Sequence, residues 1–284
     1  MASTSITSTT GAVNNPAITS KDVIEWRRAN LAFSGTVSTR YRDEAKVGTT
    51  MRWGQVTLLN SGSARAKSEG NANLITKDVN TEVAITLTIN SHYYQAFEVE
   101  EFEAALSTVD QRMWYTRAAS YVIDKQVDTA LAALVSGFSQ FVGAAAVPLA
   151  DPDVRRADQY LNDANAPDDG RFFGMSPATK ATMLGIDRYT SSDFVTGGGA
   201  NIVRGEFGTI YGYRTFVSTN VNGTNAAGHD NTFHQRDALA LALRQQPKVH
   251  EFDDISNLSH TTAISVIYGV VETRDDHGVW AKGE

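Results

Sequence analysis

Residues 81–103 read TEVAITLTINSHYYQAFEVEEFE, and two periods meet inside them. Val83, Ile85, Leu87 and Ile89 fall on one face of an extended chain, with Ala84, Thr86 and Thr88 on the other. That alternation predicts a strand. Further on, glutamates crowd together and Phe102 and Leu106 stand at helical spacing, so a helix is expected over residues 99–135. Glu98, Glu100, Glu101 and Glu103 would place negative charge at its start, where the helix dipole favours it. At 1.5 Å per residue it would span about 50 Å. Its apolar stripes, Phe102, Leu106, Val109 and Met113, then Ile123, Val127, Leu131 and Leu134, differ in phase and imply a bend or different partners along its length.

Upstream, residues 49–59 (TTMRWGQVTLL) are also rich in strand formers, with a change of phase at Gly54 and Gln55 that suggests a bulge. The two arms predict a long hairpin whose tip, residues 60–73 (NSGSARAKSEGNAN), is too polar for a core. At about 3.3 Å per residue such a hairpin reaches on the order of 50 Å. Its own turn cannot stabilise that length, so it needs a surface to lie on.

Outside this region, residues 1–20 carry no charged side chain and are expected to be mobile alone or to order against a neighbouring subunit. Residues 21–33 read as a short helix capped by Ser20. Beyond Pro148, a helix is expected over residues 151–165 with Asp151 as N-cap and Pro152 at the first helical position. A strand over residues 171–175 and a helix opening at Ser176–Pro177 follow. After a glycine turn, Tyr213, Thr215, Val217 and Thr219 alternate as a strand, and residues 261–273 form a last β-rich stretch. Alternation of helix and strand over about 100 residues argues for an α/β unit.

Composition narrows the function. The 284 residues include 25 Lys and Arg against 32 Asp and Glu, a net charge of −7, with 42% apolar and 20% charged residues. This is a globular balance, and too acidic for a chain expected to neutralise many phosphates. The absence of cysteine excludes disulfides, thiolate metal sites and cysteine nucleophiles. No apolar run approaches the roughly 20 residues of a membrane helix, and no secretory leader is recognisable, so a soluble, non-exported protein is expected.

Catalytic motifs are weak. Residues 196–201 (TGGGAN) lack the lysine and spacing of a phosphate loop and read as a flexible loop. His229 and His234 stand five apart, unlike helical metal ligands, and read as part of a loop running into a strand. Asp275, Asp276 and His277 fit a divalent ion or an ordinary turn. Neither catalytic residues nor a cofactor nor a metal site is expected.

The order of segments is distinctive. KVGTTMRWGQVTLL enters the hairpin, TEVAITLTINSHYYQAFEVEEFE returns from it, and RAASYVIDKQVDTALAAL continues the helix. MSPATKATML, GEFGTIYGYRTFVSTNV, HQRDALALALRQQPKVHEF and AISVIYGVVETRDDHGVW complete the series. From about residue 45 to the C-terminus this order resembles the major capsid proteins of tailed bacteriophages, the Hong Kong 97-type fold. The resemblance implies an α+β subunit with an N-terminal arm (1–48) and an extended β-hairpin loop (49–90) lying over the adjacent subunit. It further implies a peripheral domain with a spine helix (91–147), an axial domain (148–255) and return strands of the peripheral domain (256–284).

The implied function is structural: a non-enzymatic virion protein, made in the host cytoplasm, that assembles as a homo-oligomer of hexamers and pentamers into an icosahedral head. Packaged double-stranded DNA would be enclosed without sequence-specific binding, and no membrane is involved. A separate scaffolding protein is expected because the segment before the hairpin is short, with a portal and possible decoration proteins as further partners. Arg65, Lys67, Glu69 and Lys77 near the tip, and Glu98, Glu100 and Glu101, are the expected intersubunit contacts. Non-covalent shells are expected. Two other readings stand beside this one: a cellular nanocompartment shell of the same fold enclosing a cargo enzyme, and an α/β enzyme using the TGGGAN loop or the histidine pair.

Overall fold

The computed structural model describes residues 32–40, 48–56, 59–66, 77–79, 81–106, 111–145, 147–190 and 209–284. The chain runs through β1 (Thr50–Val56), β2 (Glu82–Thr88) and β3 (Ser91–Glu100) into α1 (Glu101–Leu106) and α2 (Gln111–Leu134). Strand and helix then alternate: β4 (Gln140–Gly143), α3 (Asp151–Asp163), β5 (Arg171–Met175), α4 (Pro177–Leu184) and α5 (Asp187–Thr190). Strands dominate the remainder, as β6 (Thr209–Ile210), β7 (Tyr213–Val217), β8 (Gly223–Thr224), β9 (Gly228–Gln235), β10 (Leu239–Asp254), β11 (Ser259–Glu272) and β12 (Gly278–Gly283). The helix expected at 21–33, all but its last residues, and the TGGGAN loop lie outside the described residues.

β1 and β2 pair antiparallel without a register shift, from Thr50 opposite Thr88 to Val56 opposite Glu82. The bulge expected at Gly54 and Gln55 is therefore absent. Gln55 is a polar residue in an inward position, opposite Val83, and the exposure of β1 alternates through all seven residues. A side chain of unexpected polarity had imitated a change of phase.

The helix expected from residue 99 begins at Glu101. β3 pairs with β11 along its whole length, Ser91 opposite Tyr268 and Glu100 opposite Ser259. Even Glu101 N donates to Leu258 O, at 3.0 Å. This ladder satisfies the backbone through Glu100, and it overrides the helix propensity of the glutamates. Glu98 and Glu100 are strand residues, leaving Glu101 and Glu103 in the first helical turn. α1 and α2 are also separate elements. Phe102, Leu106 and Met113 of the expected first stripe are exposed, whereas Ile123, Val127 and Leu131 of the second are buried.

α2 lies on the three-stranded sheet β10-β11-β3. Ala119, Ile123, Val127 and Leu131 pack with Leu239, Leu241, Ile264, Val266 and Tyr268, joined by Phe33 and Val37 from the N-terminal side. Each large side chain buried there contributes about 1.5–3 kcal/mol relative to exposure. Gly278, at the start of β12, stands where a Cβ would run into the Phe138 ring, so the chain closes tightly at that corner.

The second core belongs to a seven-stranded mixed sheet of order β4-β12-β9-β5-β7-β6, with β8 attached to β9. α3 supplies Val154, Ala157 and Leu161 against Phe173, Met175, Phe233 and Val279. Phe173 stacks on Phe233 at 4.0 Å. Ser176 caps α4 as expected, its side chain accepting from Thr179 N at 3.0 Å. The N-cap of α3 is Ala150, one residue before the expected Asp151, and Asp153 accepts from Ala150 N at 3.0 Å. Arg171 closes the other end of α3: its guanidinium donates to Ala166 O at 2.6 Å and Pro167 O at 2.9 Å, where a cation suits a helix C-terminus.

The expected boundary at 255/256 falls in the turn between β10 and β11, two strands of one sheet paired from Leu239–Glu272 to Asp254–Ser259. β12, within the expected return segment 256–284, pairs with β4 and β9 inside the seven-stranded sheet.

Candidate functional site

The hairpin is fastened at its root, and its described apolar residues grow more exposed beyond it. Leu87, Ile89 and Ala242 are buried together with Met51, Trp53, Ile267 and Val271 around them. Arg244 Nη1 donates to Gly48 O at 3.0 Å, and Ile89 N to Thr49 O at 2.8 Å. The strands approach β11 so closely that a Cβ on Gly269 would meet Thr88 O at 2.6 Å. Along the inward face, exposure then climbs from 0% at Leu87 to 52% at Val83, and Val79 beyond is 88% exposed. An apolar stripe thus leaves its own core and continues into solvent.

Near the tip, Arg65 Nη2 pairs with Asp78 Oδ1 at 2.6 Å, across the hairpin. Arg65, expected from the sequence at an intersubunit contact, thus has a partner in its own chain. Lys77 is exposed, while Lys67 and Glu69 lie outside the described residues.

Glu98, Glu100 and Glu101 gather at the far end of the three-stranded sheet. Glu98 accepts from Ser259 Oγ, and Glu100 and Glu101 are exposed. Antiparallel pairing brings Asp253 and Asp254 of β10 to the same end, beside Glu101 in a groove of about 540 Å³. Asp253 pairs with His260 Nδ1 at 2.6 Å, and Arg112 lines the groove. Phe102 (73% exposed), Ile255 (87%) and Leu258 (66%) give this acidic end apolar neighbours. Sequence reasoning missed Asp253 and Asp254, although the run EFDD at 251–254 carried the signal.

The candidate chemical motifs resolve otherwise. His229 and His234 are both in β9, not in the loop before it, and an odd separation along a strand sends them to opposite faces. His234 Nε2 lies 3.2 Å from Thr36 Oγ1 and Nδ1 lies 3.4 Å from Thr232 Oγ1, and complete burial pushes its pKa down to about 4. Asp275, Asp276 and His277 form a single 3-10 turn in which Asp275 Oδ1 accepts from Ser139 N at 2.7 Å. Glu272 faces Asp275, and burial together with that second carboxyl raises its pKa to about 7.

Asp151 accepts from Tyr189 and Tyr211 hydroxyls at 2.8 and 2.7 Å and pairs with Arg188 at 2.9 Å. Burial raises its pKa, but these hydrogen bonds and Arg188 outweigh it and hold the group below its usual value. Asp128 of α2 is fully buried, where loss of water raises its pKa, and accepts from Ser34 N at 3.1 Å and Asn220 Nδ2 at 3.2 Å. It joins the N-terminal segment and the loop before β8 to the helix. Among the described residues no three His, Asp or Glu gather as metal ligands, and no helix is long and apolar enough to cross a membrane.

Solved structures share this arrangement. A structure of Mycobacterium phage Che8 superposes with a TM-score of 0.82 at 19% identity, covering 94% of this chain and 96% of that one. A capsid structure of the Cyanophage P-SCSP1u gives 0.76 at 14% identity, covering 96% and 94%. A subunit from the bacteriophage PhiM1 mature capsid gives 0.71 at 15% identity, covering 94% and 91%. The chain has a phage capsid fold. No family model matches its sequence, and no curated protein does. At such low identity the capsid fold rests on geometry over nearly the whole chain, not on conserved side chains.

Proposed function

We propose that the chain is the major capsid protein of a tailed phage, assembling through hexamers and pentamers into an icosahedral shell around double-stranded DNA. The observation that carries this is the hairpin stripe, fixed at Leu87 and exposed from Val83 onward. Apolar surface on a hairpin that leaves its own core asks for a partner. In a shell the partner is a second copy of the same chain. The capsid structures that share the fold support this assignment.

In this reading residues 49–90 are the extended loop, and α2 with the β10-β11-β3 sheet forms the peripheral domain. The seven-stranded sheet with α3 and α4 forms the axial domain. Lys77 and Lys67 at the tip meet the acidic end of a neighbour's long sheet, where Glu98, Glu100, Glu101, Asp253 and Asp254 converge. Arg65, held by Asp78, stiffens the tip, and the pair leaves the lysines to supply its positive charge. A separate scaffolding protein and a portal complete the assembly, and the subunit has no catalytic role.

Negative-stain electron microscopy of the expressed protein, alone and with lysate of its natural source, tests the function. Closed shells, or rings of six or five subunits, are expected. A monomer under both conditions refutes it, and a protein cargo co-purifying in place of DNA reassigns the shell to a nanocompartment.

A further inference from the structure

The root of the hairpin does not close flush on the body. A hollow of about 230 Å³ separates Trp53, Gln55 and Ile85 from Arg40, Thr273 and Arg274. Given about 30 Å³ per water, it holds several waters or one small ion with part of its hydration. Two polar groups on its wall are in an unusual condition. Thr273 Oγ1 and Arg274 Nε are buried and have no hydrogen-bond partner among the described residues. Asp276 Oδ1 forms an ion pair with Arg274 Nε at 3.6 Å, too long for a hydrogen bond. Buried donors are seldom left without an acceptor, and each one that is asks what fills the space beside it.

The backbone here is not loose. Thr273 N and Arg274 N both donate to Ala238 O, at 2.8 and 3.3 Å, so the wall is set before any ligand arrives. Asp237 also lines the hollow and is exposed, as Arg40 is, so two guanidinium groups, one of them ion-paired with Asp276, face one carboxylate there.

We propose that this hollow is an oxyanion site, in which Arg40 and Arg274 hold a phosphate or carboxylate group, Thr273 donates its hydroxyl hydrogen, and the bound group ties the hairpin to the body. A guanidinium fork matches either oxyanion. Two sources supply that chemistry: inorganic phosphate from solution, or an Asp or Glu side chain of a second copy. Only the second source rests on the capsid reading.

The test begins with thermal unfolding of dispersed full-length subunits in sodium phosphate and in sodium chloride at equal pH and ionic strength. Phosphate also stabilises proteins generally by exclusion from their surface. The variants therefore decide. Phosphate is expected to raise the unfolding midpoint by about 3 °C over chloride, the size of shift that ligand linkage gives a chain of this length. Arg274→Gln and Arg40→Gln should each lose most of that rise. Thr273→Val should raise the midpoint without phosphate, by removing an unpaired buried hydroxyl, and shrink the phosphate rise. An equal phosphate rise in wild type and all three variants, or none in wild type, overturns the site.

Assembly followed by light scattering then separates the sources. Phosphate that slows assembly of wild type but not of Arg274→Gln assigns the hollow to a neighbour's carboxylate. Phosphate that speeds wild-type assembly assigns it to the free anion. Assembly indifferent to phosphate overturns the tie between the bound group and the hairpin.

Discussion

His234 sits fully buried in β9, its imidazole stacked on Phe172 at 5.8 Å and kept neutral by loss of water. Unfolded, a histidine takes its proton near pH 6.5, whereas the folded protein resists it down to about 4. Between those values the unfolded chain binds the extra proton, so this group costs stability as pH falls through that window. His234→Gln should flatten the acid limb of a urea-midpoint profile between pH 6.5 and 4. Glu272 acts in the opposite direction. Its carboxyl titrates at 4.5 when unfolded and at about 7 when folded, so the folded state holds a proton the unfolded state has released. Stability therefore falls as pH rises from 4.5 to 7. Glu272→Gln should raise the melting temperature at pH 8 by about 2 °C and leave it unchanged at pH 4. Neither role was legible in the sequence, where His234 was one of a spaced pair and Glu272 one residue of a β-rich run. Burial of both is set by elements far apart in the chain, and Asp275, only three residues beyond Glu272, is held by Ser139 N from 136 residues upstream.

At the scale of elements, the hairpin was legible because its second arm alternates without interruption. The start of α1 was not, because pairing with β11 carries β3 through Glu98 and Glu100, and that partner lies about 160 residues downstream. β10 was missed as a strand because its exposed half, with Lys248, His250 and Glu251, has no apolar period to read, and register shifts after Leu243 and Gln245 break its ladder. Two substitutions separate the hairpin's root from its outer stripe. Leu87→Ala, at a fully buried position, should destabilise the isolated subunit by about 2–5 kcal/mol in urea titrations. Val83→Glu, at a position 52% exposed, should change subunit stability by less than about 1 kcal/mol yet reduce assembly at least tenfold by light scattering. Unimpaired assembly of Val83→Glu would show that the stripe has no partner.

For the whole molecule, the proposed shell sets the lysines of the hairpin tip, Lys67 and Lys77, against the acidic sheet end of a copy whose net charge is −7. Reversing Arg65 and Lys67 together to Glu should impair assembly while circular dichroism of the subunit stays unchanged; unaltered assembly would remove the tip from the contact. Mature particles boiled in detergent should give single subunits, because the proposed contacts are non-covalent; a ladder of linked subunits would contradict that. In the proposed shell the hairpin finds on a neighbour the cover that its outer apolar stripe lacks among the described residues. Hydrogen–deuterium exchange, comparing dispersed subunits with assembled particles, measures this without presuming which residues it meets. Amides of residues 50–56 and 82–88 should gain at least tenfold protection on assembly while those of β5 and β9 in the second core stay unchanged. Equal exchange of the hairpin in both states would contradict the account.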